Sequence, residues 1–413
     1  MFASNDGGTH RGYFAIDRRI WEQVTAAGIN PAAAYLVLAC GTGQDNQTTR
    51  WSKEAIKRYA GVGWERARAA LGALFQAGFV GECDDHTGAH PHYRIRTIRD
   101  MDIWEGLQHP QKRSHRGRSV SSTLTDEEIA DTERRAPGDP RRHRSVAEIL
   151  GVTTPQTTLA SPDLIWLPNA IITGTTDGEE TPLRRLRRAG CIWALRLFVE
   201  LYGSQNLRDD CGISPGVIVE EFERRKVGEQ GAYTIWGFKS FGRPISRTGL
   251  LAAHQARTAK GAKNGPPVLE SIELLEKMGL VSFVPHIFEN ETAFAEPIHP
   301  FGIGGAAEVP AEQEIGRAAH DAARMMALPG KIEEAEEAGF EYFCPILNTI
   351  PSARMVGVAR LTYRPQTRRT ATWFAELQQN APGWIKNFQR LTEEAEDIAD
   401  GKLRSSRTGR RRR

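Results

Sequence analysis

The spacing of apolar residues changes several times between residues 31 and 96, and each change predicts an element. PAAAYLVLACG is a short apolar helix ending at Gly41. After a polar loop, Ser52 is placed to cap SKEAIKRYAG, where Ile56 and Ala60 stand four apart on one face. Gly61-Val62-Gly63 is too short and too glycine-rich to continue that helix, so it predicts a tight turn with Val62 plugging the corner. In WERARAALGALFQAG the positions Ala67, Ala70, Leu71 and Leu74 form one apolar stripe, leaving Trp64, Glu65, Arg66, Arg68 and Ala69 outward. Gly78 predicts the helix stop and Phe79-Val80 a strand; a turn at DDHTGAH then leads into the alternating strand HYRIR. The pattern reads helix, helix, turn, helix, hairpin.

Residues 52–80, SKEAIKRYAGVGWERARAALGALFQAGFV, resemble the winged helix-turn-helix of bacterial transcription regulators and of phage and plasmid replication proteins. Ser52, Ile56, Gly61, Val62, Ala70, Leu71, Leu74, Gly78 and Val80 match that pattern. Gly63 departs from it where a capping Ser or Thr is usual, as does Gly72 inside the third helix. The resemblance implies double-stranded DNA as partner, with Trp64, Arg66 and Arg68 nearest the bases. It implies Arg50, Lys53, Lys57 and Arg58 along the phosphates and Arg94 and Arg96 on the wing. Some winged helices bind protein instead; the six bases and two acids of residues 50–68 favour DNA.

The remaining chain is divided by composition. Residues 13–100 are expected as the winged-helix domain, and 105–145, rich in Pro, Ser and Arg, as a flexible basic linker. Residues 182–300 are expected as a second winged-helix-like domain. In it AGCIWALRLFVELYG is a buried helix, VIVEEFERRK a polar-apolar helix, and PVLESIELLEKMGLVSFV a striped helix (Leu269, Ile272, Leu275) followed by a strand. Arg243, Arg247, Arg257, Lys260 and Lys263 make its insertion basic. Residues 308–380 read as an acidic helical part followed by the β-type runs FEYFCPIL and MVGVARLTY; residues 381–413 read as an amphipathic helix and a basic tail. The expected fold class is thus α+β: helix-rich winged-helix domains with small hairpin wings, a C-terminal α/β piece and a disordered tail.

Charge sharpens this picture. The chain carries 54 Lys and Arg against 51 Asp and Glu, yet residues 402–413 hold seven bases and no acid. Arg410, Arg411, Arg412 and Arg413 are therefore expected to add sequence-independent contact with nucleic acid. No run is apolar enough for a membrane helix, and the N-terminus has no signal pattern, so the expected location is cytoplasmic. Five cysteines at wide spacings indicate neither disulfides nor a paired-cysteine zinc site.

Catalytic chemistry finds little support. GxxxxGK[ST], GxSxG and HExxH are all absent, and Phe301–Gly305 lacks the strand-then-helix setting of a dinucleotide loop. His90-Pro91-His92-Tyr93 lacks the apolar spacer and separate tyrosine helix of rolling-circle nucleases. Cys83, His86, His90 and His92 have a ligand-like spacing, but they fall on the predicted wing tip, where polar turn residues are expected anyway, so metal is set aside. Trp166, Trp193, Trp236, Trp373 and Trp384 are expected as core or interface anchors. No catalytic residue, cofactor or metal is assigned. The expected function is a DNA-binding protein like the replication initiators of plasmids and phages, binding origin repeats; a transcription regulator and a non-enzymatic structural adaptor of a mobile-element nucleoprotein complex stay open, and the absence of a catalytic motif leans against an enzyme without deciding it. A homodimer or protein partners are possible within each.

Overall fold

Polar caps and glycine turns divide the chain into its elements. The computed structural model describes residues 12–43, 45–97, 100–101, 163–176, 178–206, 212–246, 268–290, 295–302, 309–364 and 368–401. The 105–145 linker and the basic tail expected from sequence lie outside them. Strand β1 (Tyr13–Asp17) runs directly into α1 (Arg18–Ala26), because the Asp17 carboxylate accepts the Arg19 backbone N–H. Helix α2 (Ile29–Cys40) is apolar on nearly every side and is buried from Ala32 to Cys40, as a central core helix must be. Next come β2 (Thr48–Thr49), α3 (Lys53–Ala60), α4 (Trp64–Gln76), β3 (Val80–Glu82) and β4 (Tyr93–Ile95). The three strands form an antiparallel sheet in the order β2-β4-β3. Ser52 caps α3 by accepting from the Glu54 N–H, and Gly61 ends it in the left-handed region at φ 65°. The stripe Ala67, Ala70, Leu71 and Leu74 is buried, as its spacing predicts.

Beyond residue 162 the chain returns to this unit. Strand β5 (Leu164–Pro168) pairs antiparallel with β1, Tyr13 facing Pro168 and Asp17 facing Leu164. Helices α5 (Ala170–Thr173), α6 (Pro182–Ala189) and α7 (Ile192–Tyr202) follow, α7 being buried from Ala194 to Tyr202. Their side chains join the same core as α1–α4: Trp21, Tyr35, Leu74, Leu186, Phe198 and Ile272 belong to one cluster. The two stretches read as separate domains, 13–100 and 182–300, therefore share a core. Ile272 comes from α8 (Val268–Lys277), whose buried stripe is Val268, Ile272 and Leu275; Leu269, assigned to that stripe from sequence, is 40% exposed.

After the short strands β6 (Gln205–Asn206) and β7 (Gly212–Ile213), the chain builds a six-stranded antiparallel sheet. Its strands are β8 (Ile218–Gln230), β9 (Tyr233–Ser246), β10 (Val281–Phe288), β11 (Pro297–Pro300), β12 (Tyr342–Leu347) and β13 (Arg354–Leu361). Their order is β11-β10-β13-β8-β9-β12. VIVEEFERRK, expected as a helix, is instead the body of β8. A long hairpin with β9 and the pairing with β13 give its backbone partners on both sides, which overrides its local preference. β10, the strand assigned to the second winged helix, pairs along its whole length with β13 of the C-terminal piece.

Helices α9 (Pro310–Met326), α10 (Lys331–Glu337) and α11 (Arg368–Ala399) pack on this sheet around a second core containing Phe238, Phe301, Ile315, Phe343 and Phe388. α11 starts before the 381 boundary read from sequence and passes through Pro382. The architecture is α+β. Among the described residues no helix is long and apolar enough to cross a membrane.

Candidate nucleic-acid interface

Helix α4 presents its first turns to solvent because its apolar stripe is drawn into the core. Trp64, Glu65, Arg66, Arg68 and Ala69 are exposed, as the periodicity requires. Trp64 is 41% exposed, and its ring carries the Lys53 ammonium 5.0 Å from the centroid, joining the starts of α3 and α4. Arg50, Lys57 and Arg58 are exposed on the same helix pair or beside it; Lys57 has a solvent-screened pairing with Glu54 at 3.5 Å. At 13 residues, α4 is about 20 Å long, sufficient to cross a major groove roughly 12 Å wide.

The structure adds a contribution that sequence reasoning missed. Helix α6, PLRRLRRA, turns Leu183 and Leu186 into the core and packs against α3. The Arg184 guanidinium donates to the Arg58 carbonyl, 126 residues away in the chain, while its side chain lies over Gly61 at 3.4 Å from where a Cβ would stand. Arg187 is held below the usual guanidinium range, first by partial burial and then by the positive charges of Arg66, Arg184 and Arg188. Arg188 is exposed and pairs with Glu180 at 2.7 Å. Arg185 turns inward, donating to the Met278 carbonyl at 2.6 Å. One surface thus gathers like charges from α3, α4 and α6. Residues 181–190 hold four arginines and no acid, a visible signal, but nothing local to the sequence places them beside Arg66.

The hairpin is less free. Arg94, exposed on β4, donates to Gln47 at 3.3 Å and lies 3.8 Å from Asp100; the half-buried Arg96 covers Gly81. Tyr93 is buried against Phe75 and His86, so its hydroxyphenyl ring belongs to the core. His86 holds the hairpin closed: its Nδ1 accepts the His92 backbone N–H at 3.0 Å. His90 is exposed in the turn, where its N–H donates to Thr87. The ligand atoms of Cys83, Asp85 and His92 all lie within 4.8 Å of one another.

Other expected contacts resolve differently. Arg247, Arg257, Lys260, Lys263 and Arg410–Arg413 lie outside the described residues. Trp166 is 41% exposed, edge-on to Tyr13, and Trp193, Trp236, Trp373 and Trp384 are half-buried; among the described residues the fully buried indole is Trp21. A groove of about 650 Å³ between α9 and α11 is lined by Glu314, Asp321, Glu393 and Glu396, with Arg317 as its cation, and its sign is wrong for a polyanion. Comparison with protein-family models, with curated proteins and with solved structures returns no match to this chain.

Proposed function

We propose that residues 29–97 form a winged helix-turn-helix and that the protein is a cytoplasmic, non-enzymatic binder of double-stranded DNA. The observation that carries this is the gathering of Arg66, Arg184, Arg187 and Arg188 beside the exposed start of α4. Crowded like charges with few acids among them are unfavourable in the free protein and are relieved by a polyanion, whose condensed counterions are then released. In this arrangement Trp64, Arg66 and Arg68 approach base edges, while Arg50, Lys53, Lys57, Arg58 and the α6 arginines follow the phosphates. The resemblance of residues 52–80 to phage and plasmid replication proteins makes direct origin-type repeats the first target to test. A single promoter palindrome is the corresponding target for a regulator.

The test is salt-titrated binding of the full chain to duplexes with and without such repeats. Arg66→Ala with Arg68→Ala should cost about 1–3 kcal/mol for each base edge no longer read, and should relax site preference. Arg187→Gln with Arg188→Gln should weaken binding to all duplexes alike, making the log–log salt slope shallower by about 0.9 for each phosphate no longer neutralised. Unchanged affinity in both double variants, with unchanged melting temperatures, would refute DNA binding through this face.

A further inference from the structure

The hairpin between β3 and β4 places three metal-ligand side chains on one spot. Cys83 follows β3 and His92 precedes β4, and the Cys83 N–H donates to the His92 carbonyl at 3.0 Å, so the two residues are cross-strand partners. Partners in an antiparallel pair project to the same face with Cβ atoms about 5 Å apart. Asp85, two residues beyond Cys83, turns back so that its Oδ1 lies 2.5 Å from the His92 Nδ1. The three ligand atoms fall within 4.8 Å of one another. Donors around a tetrahedral zinc ion are separated by about 3.3–3.6 Å, a spacing these side chains reach by small torsional changes in an exposed turn.

Sequence spacing alone groups Cys83, His86, His90 and His92. The fold selects a different set. His86 spends its Nδ1 on the His92 backbone N–H and its ring on Tyr93 at 4.9 Å, while His90 sits in the turn beyond. Asp85 takes the third place.

We propose that Cys83, Asp85 and His92 bind one zinc ion, with water in the fourth position. A thiolate with an imidazole selects a borderline-soft cation over calcium and magnesium, which take oxygen ligands. Charges of both signs surround the Cys83 sulfur: Asp85, Asp84 and Asp45 on one side of the balance and the Arg94 guanidinium on the other. Binding exchanges the thiol proton for a divalent ion and so makes the hairpin tip less negative by one charge. This site stands on the hairpin alone and does not require that the protein bind DNA.

The experiment uses the full chain, stripped with chelator under reducing conditions and titrated with zinc against a chromophoric competitor, and separately with cobalt(II). One equivalent of zinc should bind, and cobalt(II) should give a thiolate charge-transfer band in the near ultraviolet. Cys83→Ser and His92→Gln should each abolish that band and weaken zinc binding by at least about 10–100-fold, with Asp85→Asn weakening it less. Cys191→Ser, the other half-buried described thiol, should leave both signals intact. Absence of stoichiometric zinc in the unaltered protein, or a band that survives Cys83→Ser, overturns the proposal. Circular dichroism of each variant distinguishes loss of a ligand from loss of the fold, and His86→Gln, which perturbs the same hairpin without removing a ligand, should retain the cobalt band.

Discussion

The ion pair between Glu312 on α9 and Arg360 on β13 should behave as a coupled unit. Its side chains are 0% and 1% exposed, and the Arg360 Nη1 donates to the Glu312 Oε1 at 2.6 Å. The second guanidinium nitrogen donates to the His286 Nε2 at 3.1 Å, because His286 uses its Nδ1–H on the Val284 carbonyl. Glu312→Gln keeps the shape and removes the charge opposite the buried guanidinium, which should cost about 3 kcal/mol; Arg360→Met should cost about as much by stranding the carboxylate. The double variant exchanges both charges for groups needing no counter-charge and should be far less destabilised than the sum, with a coupling of about 2 kcal/mol or more. Urea unfolding followed by circular dichroism reads this directly. With a slope of about 3 kcal/mol per molar, each single variant moves the midpoint down by about 1 M. Strict additivity of the two effects would refute the coupled pair as the organiser of the α9–sheet contact.

Two further outcomes follow from the same geometry. His299, enclosed by Phe301, Trp384 and Phe388, is lowered by burial to about 4, so it stays neutral in the folded protein while the unfolded chain takes up a proton below about 6.5. Its stabilisation is complete above that value and is lost between about pH 6.5 and 4, at up to about 1.4 kcal/mol per unit; His299→Phe should flatten the stability-against-pH curve over this window, and an unchanged curve would rule the residue out as its source. Gly72→Ala adds a methyl group that meets nothing within 4 Å in the interior of α4, so melting should rise by about 2 °C, reflecting about 0.5–1 kcal/mol of helix propensity, whereas a decrease would mean the added methyl is strained.

Residues 52–80 were legible because each local signal agreed with its neighbours. Ser52, the Gly61 turn, the Ala67–Leu74 stripe and the Gly78 stop each fix a boundary with only a few residues of context, and periodicity alone left Arg66 and Arg68 outward. VIVEEFERRK shows the opposite case. Its charges suit a helix face, and only the partners β9 and β13, the latter more than 120 residues later, make it a strand. Charge counting found the basic character of residues 50–68 but not its continuation on α6, since the approach of Arg187 to Arg66 is a property of tertiary packing. Asp85 was missed for a related reason: a ligand search by Cys and His spacing omits a carboxylate that a hairpin turn brings alongside.

The pairing of β1 with β5 has a topological consequence. Met101 is buried in the first core and Ile165 of β5 is buried in the same core, so both ends of the intervening stretch are moored to one body. The two flanks therefore contribute to one core, and the chain passes through that stretch between them. A chain severed within it would yield two pieces that need one another: the first holds β1 and α1–α4 without the strand and helices that cover them, and the second holds β5–α8 without the buried α2 at its centre.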